Sequence, residues 1–128
     1  MSQEPLPEEL RRFLLTSVPS VPFVEALLLL RDARGIPVET SQIARRLYMP
    51  EHAASTVLEQ LAQARIIERV PQGPAAHRFA PHPELAAVVE QLAGYYRSHL
   101  VQVTDMIHSR TSRRAQQFAD AFKLRKDP

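Results

Sequence analysis

The sequence has no cysteine and no tryptophan, and only three of its 128 residues are glycine. Without cysteine there are no disulfides, thiolate zinc sites or cysteine nucleophiles. Three scattered glycines are too few for the glycine-rich loops that cradle phosphates. Long apolar runs are missing too: a stretch such as Ala26 to Leu30 is five residues, against the ~20 a membrane-spanning helix needs. The opening Met1-Ser2-Gln3-Glu4-Pro5 is polar and acidic, unlike the basic start of a signal peptide. With no cysteine to oxidise, the expected compartment is the cytoplasm. A strong charge of one sign is also lacking. Sixteen basic residues face fourteen acidic ones, for a net charge of +2. Fourteen of the sixteen cations are arginine, which keeps its charge at any working pH and lifts the isoelectric point to about 9.4.

What is present is an ordinary globular balance, 45% apolar and 23% charged. At this length one domain with a real hydrophobic core is expected. Eleven prolines punctuate the chain. Pro7 opens a first helix with Leu10, Phe13 and Leu14 on one face. The prolines of Val18-Pro19-Ser20-Val21-Pro22 stop it, and Ser20 can cap a second helix over Val21–Ala33. Phe23, Val24, Ala26 and Leu27 to Leu30 leave that helix almost no polar face, so it is predicted to be central. Gly35 suits the position just past its end. A short helix follows over Gln42–Tyr48, capped by Thr40 or Ser41, with Ile43, Ala44 and Leu47 inward. Pro50 opens a longer helix to Ala64, with Ala54, Val57, Leu58 and Leu61 at helical spacing. Ile36-Pro37-Val38 is only a minor extended segment. Ile66–Val70 and His77–Ala80, separated by the turn residues Pro71-Gln72-Gly73-Pro74, read as a hairpin.

One long helix is then predicted from His82 to His108. Leu85, Val89, Leu92, Tyr96, His99, Val103 and Met106 recur at alternating spacings of four and three, an approximate heptad seam suited to dimerisation. A last amphipathic segment carries Ala115, Phe118, Ala119 and Phe122 on one face. The chain divides into a body over 1–81, the long helix over 82–109, and a basic tail over 110–128. The fold class is mainly α with a small β-hairpin, α+β.

The middle of this order, a buried helix, a short helix, a tight turn, a longer helix and a hairpin, has the layout of a winged helix-turn-helix. Ile43-Ala44-Arg45-Arg46-Leu47-Tyr48-Met49-Pro50 and Val57-Leu58-Glu59-Gln60-Leu61-Ala62-Gln63-Ala64-Arg65-Ile66-Ile67-Glu68-Arg69 resemble bacterial winged helix-turn-helix transcription regulators, most closely the MarR-type group. The resemblance covers about Val38 to Phe79. It implies a homodimer held by the long helix, with the helix from Pro50 in the major groove of double-stranded DNA and residues 71–77 as the wing. Ser55, Thr56 and Gln60 would then read bases, His52 would donate to a base N7 or to phosphate, and Arg45, Arg46 and Arg78 would hold phosphates. The dimer seam would be Leu85, Val89, Leu92, Tyr96, Val103 and Met106. Two positions depart from the family: Tyr48 and Arg65 stand where glycine is usual, so a positive φ at either would be strained.

Charge placement opposes DNA. From Glu39 to Val70 four arginines meet four glutamates, and residues 1–81 hold nine arginines and nine acids. The positive excess sits in 110–128, where six cations meet two acids. The alternative is therefore a winged-helix module that binds protein, through the acidic helix face or the tail. The five histidines include no pair at i, i+4, so no metal site is expected. No cofactor is implied. No nucleophile motif such as G-x-S-x-G occurs, and no enzyme is expected. Tyr95, Tyr96 and His99 could line an effector pocket, but packing is the expected role.

Overall fold

The computed structural model describes residues 5–71 and 73–109. The tail with Phe118 and Phe122 lies outside them. The fold is α+β. Helices α1 (Glu8–Ser17) and α2 (Val21–Asp32) lead into a short strand β1 (Val38–Glu39). Then come α3 (Thr40–Arg46), α4 (Glu51–Gln63), β2 (Ile67–Arg69), β3 (Ala76–Phe79) and α5 (Pro83–Tyr95). A further helix, α6, spans 100–109.

Local chemistry explains most boundaries. Pro7 precedes α1, and Leu10, Phe13 and Leu14 form its buried face. Ser20 caps α2, its Oγ accepting from the Phe23 N–H at 3.4 Å. Phe23, Val24, Ala26, Leu27 and Leu30 bury on α2, which packs against α4 and β3. The hydrophobic cluster runs on through Ile43 and Ala44, Ala54 to Leu61, Ile66, Ile67, Val88, Val89, Leu92, Val103 and Ile107. Each fully buried Leu, Val or Phe contributes roughly 1.5–3 kcal/mol.

Several boundaries differ from expectation. The cap of α3 is Glu39, not Thr40 or Ser41: the Thr40 N–H is taken by the Ala75 carbonyl (3.0 Å), and Gln42 Oε1 accepts from the Glu39 N–H at 2.9 Å in a capping box. Pro50 has extended backbone (ψ 153°) and caps α4 from outside instead of opening it. At the end of α2 the left-handed region begins at Arg34 (φ +54°), one residue before Gly35 (φ +87°). The minor segment at Val38 is a true third strand. β1 and β2 both pair antiparallel with β3, which is central, in registers Val38↔His77 and Ile67↔Phe79.

The long helix is not continuous. It is interrupted over 96–99 between α5 and α6. There the Ser98 hydroxyl donates to the Tyr95 carbonyl (3.3 Å) and lies 2.8 Å from His99 Nδ1. The same Tyr95 carbonyl also accepts from the His99 N–H at 2.8 Å. The seam is largely spent inside the chain: Val89, Leu92 and Val103 are fully buried in its own core, and Leu85, Tyr96 and Met106 pack against it half-buried. Among the described residues no single helix is long and apolar enough to cross a membrane.

Candidate nucleic-acid interface

The junction of α3 and α4 is built by its backbone. The Met49 N–H reaches the Ala44 carbonyl at 3.0 Å and the Tyr48 N–H the Arg45 carbonyl at 3.4 Å. This is the double bond of a Schellman cap, which requires left-handed backbone at its middle residue. That residue is Tyr48, with φ +54°. The end of α4 repeats the device: Ile66 N–H to Leu61 O at 3.1 Å, Arg65 N–H to Ala62 O at 3.0 Å, and φ +65° at Arg65. Both positions expected to be strained are left-handed.

Beyond this turn α4 buries Ala54, Val57, Leu58 and Leu61 and presents Glu51, His52, Ser55, Thr56, Glu59 and Gln63 to solvent. Helical spacing therefore brings His52, Ser55 and Thr56 onto one exposed face. Gln60 is half-buried at its edge. The Thr56 hydroxyl donates to the His52 carbonyl (3.1 Å), so toward a ligand it is an acceptor. Arg45 and Arg46 are exposed on the last turn of α3 and, among the described residues, have no ion-pair partner. They also edge a cleft of about 570 Å3 floored by Leu29, Ala33, Val38 and Ile43. Arg78, expected to face phosphate, is instead tied to Glu68, its cross-strand neighbour.

His77 is the buried polar residue of the hairpin, 9% exposed, with an unpartnered Nδ1. Burial pushes its imidazole below the usual histidine range, and the Arg69 guanidinium adds to this. The folded state thus binds a proton less readily than the unfolded chain. Stability is unaffected by His77 above the unfolded pKa of about 6.5 and falls as pH drops through that value. Melting temperature is expected to decline from pH 7.5 to 5.5, and His77→Phe to flatten part of that decline. An unchanged slope in the variant would remove His77 as its source.

Tyr95 and His99 meet edge to face at 5.0 Å, and Tyr96 reaches Glu25 on α2. Burial, reinforced by that carboxylate, raises the Tyr96 phenol above its ordinary range. These rings pack against the core. A bidentate pair also joins α2 to α5: Arg31 Nε and Nη2 donate to the two Glu90 oxygens at 2.9 and 2.7 Å. Arg31 holds the Glu90 carboxyl below the usual carboxylate range.

In the sequence Tyr48 stands out only for its backbone, whereas the residue is 97% exposed. Its place in a helix–turn–helix junction was the available signal.

No family model and no curated protein matches the chain. Among solved structures, the crystal structure of RV1404 from Mycobacterium tuberculosis is similar, with a TM-score of 0.53 and 15% sequence identity. The match covers 92% of this chain and 81% of that one. At this identity the likeness concerns the fold alone.

Proposed function

We propose that the chain is a transcription regulator of the winged helix-turn-helix class that binds double-stranded DNA through α4. The observation that carries the reading is the α3–turn–α4 junction, closed by a left-handed Tyr48 and followed by the β2–β3 hairpin on a three-stranded sheet. In this reading α4 enters the major groove with His52, Ser55 and Thr56 toward base edges, and Gln60 contributes from the rim. Arg45 and Arg46 supply phosphate contacts. Arg78 contributes only when released from Glu68. The test is enrichment of duplexes from a random pool at low salt, with binding that weakens steeply as salt rises. No enrichment at 50 mM salt would sink it.

A second reading, a winged-helix module that binds protein, is favoured by the acids Glu51 and Glu59 on the exposed face of α4 and by the neutralised Arg78. Capture of a protein partner by a chain that enriches no duplex would support it.

The proposed regulator is a homodimer. Because most of the seam packs within the chain, we place the self-contact on α6, where Leu100 (46% exposed) and Val101 (70% exposed) remain in solvent. Val101→Glu is expected to halve the mass measured by light scattering at micromolar concentration. A wild-type monomer would remove the dimer.

A further inference from the structure

We propose that Tyr48 is itself a duplex contact, its ring lying against the sugar–phosphate backbone beside the groove that α4 enters. This rests on the DNA reading above. The argument begins with strain. The cap bonds from Met49 and Tyr48 fix a left-handed backbone at this position, φ +54°. A side chain there crowds the following carbonyl, and a large ring is among the least suited to it. Elsewhere among the described residues positive φ falls on two glycines, Gly35 and Gly73, and on two arginines, Arg34 and Arg65.

Among the described residues the cap bonds hold the backbone, but the ring itself packs on almost nothing. At 97%, Tyr48 is more exposed than Ile36 (68%) or Val101 (70%). The other two non-glycine residues at positive φ, Arg34 and Arg65, are cations at home in water. Strain at a fully exposed aromatic residue points outward, to a contact the isolated chain lacks.

The neighbours define that contact. Arg45 and Arg46 precede the ring, exposed and without an ion-pair partner among the described residues. The N-terminus of the 13-residue α4 follows, without a side-chain cap. Glu51 is the single acid from 45 to 51. Two cations, an aromatic ring with a hydroxyl and a helix N-terminus suit a polyanion with apolar sugar faces. The ring can lie on deoxyribose while its hydroxyl donates to phosphate.

The test uses the full chain and random-sequence 30-bp duplexes, read by fluorescence anisotropy at 50 mM salt, beside thermal melts. Tyr48→Gly and Tyr48→Asn both accept left-handed backbone, and asparagine keeps the turn stiffer. Both are expected to melt higher than wild type and to bind roughly three- to tenfold more weakly, the loss of one apolar contact and one hydrogen bond. Tyr48→Phe is expected to melt as wild type does and to bind between wild type and the Gly and Asn variants, since it keeps the ring and loses the hydroxyl. Wild-type affinity in the Gly and Asn variants would overturn this inference while leaving the DNA reading intact. A wild-type chain that binds no duplex would overturn both.

Discussion

Replacing Arg45 and Arg46 together with alanine is expected to weaken duplex binding about a hundredfold at 0.1 M salt and to reduce the salt slope by about two. Each phosphate contact releases close to one condensed counterion. At 0.1 M each is therefore worth roughly one decade of affinity. Both side chains are exposed on the last turn of α3, so their loss leaves the core untouched. The cap bonds there use backbone carbonyls, which alanine retains. Melting temperature should barely move, which separates lost contact from lost fold. Anisotropy titrations at several salt concentrations read both quantities, and an unchanged slope would exclude the pair from the interface. Glu68→Gln is the counterpart. It frees Arg78 from its ion pair and is expected to strengthen binding and steepen the slope by about one.

The largest effect on stability is expected at Phe23. This ring is 1% exposed in the first turn of α2, the helix that meets both α4 and β3. Phe23→Ala removes its burial and leaves a cavity that close-packed neighbours fill only in part, a loss of about 3–5 kcal/mol. Domains of this kind hold roughly 5–15 kcal/mol in total. A fall in melting temperature on the order of 10–20 °C follows. Calorimetry of the two chains checks it, and a fall of only 1–2 °C would mean that α2 is not the centre of the core.

The parts legible in the sequence were those set by short-range rules. Leu10, Phe13 and Leu14 declare the inner face of α1, Ser20 before a proline-started helix declares its cap, and Ala54 to Leu61 give α4 its inner and outer faces. The exposed His52, Ser55 and Thr56 followed from the same period. What escaped depends on partners distant in sequence. β1 is two residues long and exists only because β3 lies beside it. Arg78 looked free because its pairing with Glu68 is a matter of strand register. The heptad spacing of Leu85 to Met106 says that one face is apolar, but not whether that face meets a second copy or the chain's own α1 and α2. The interruption at 96–99 has no signal in the apolar spacing, which runs across it unbroken. The exposure of Tyr48 had no periodic signal, since turns have no period.

The Arg31–Glu90 bridge has a mechanical consequence. A two-point guanidinium–carboxylate contact fixes direction as well as distance, so it reinforces the angle at which the buried face of α5 (Val88, Val89 and Leu92) packs on the body. In the proposed dimer joined through α6, that angle contributes to the separation of the two α4 helices. A small rotation at the bridge becomes a larger displacement at the far end. Lysine at position 31 would preserve the charge and surrender the angle. The spacing of the two half-sites on a bound duplex would then be gauged by an ion pair that touches no DNA.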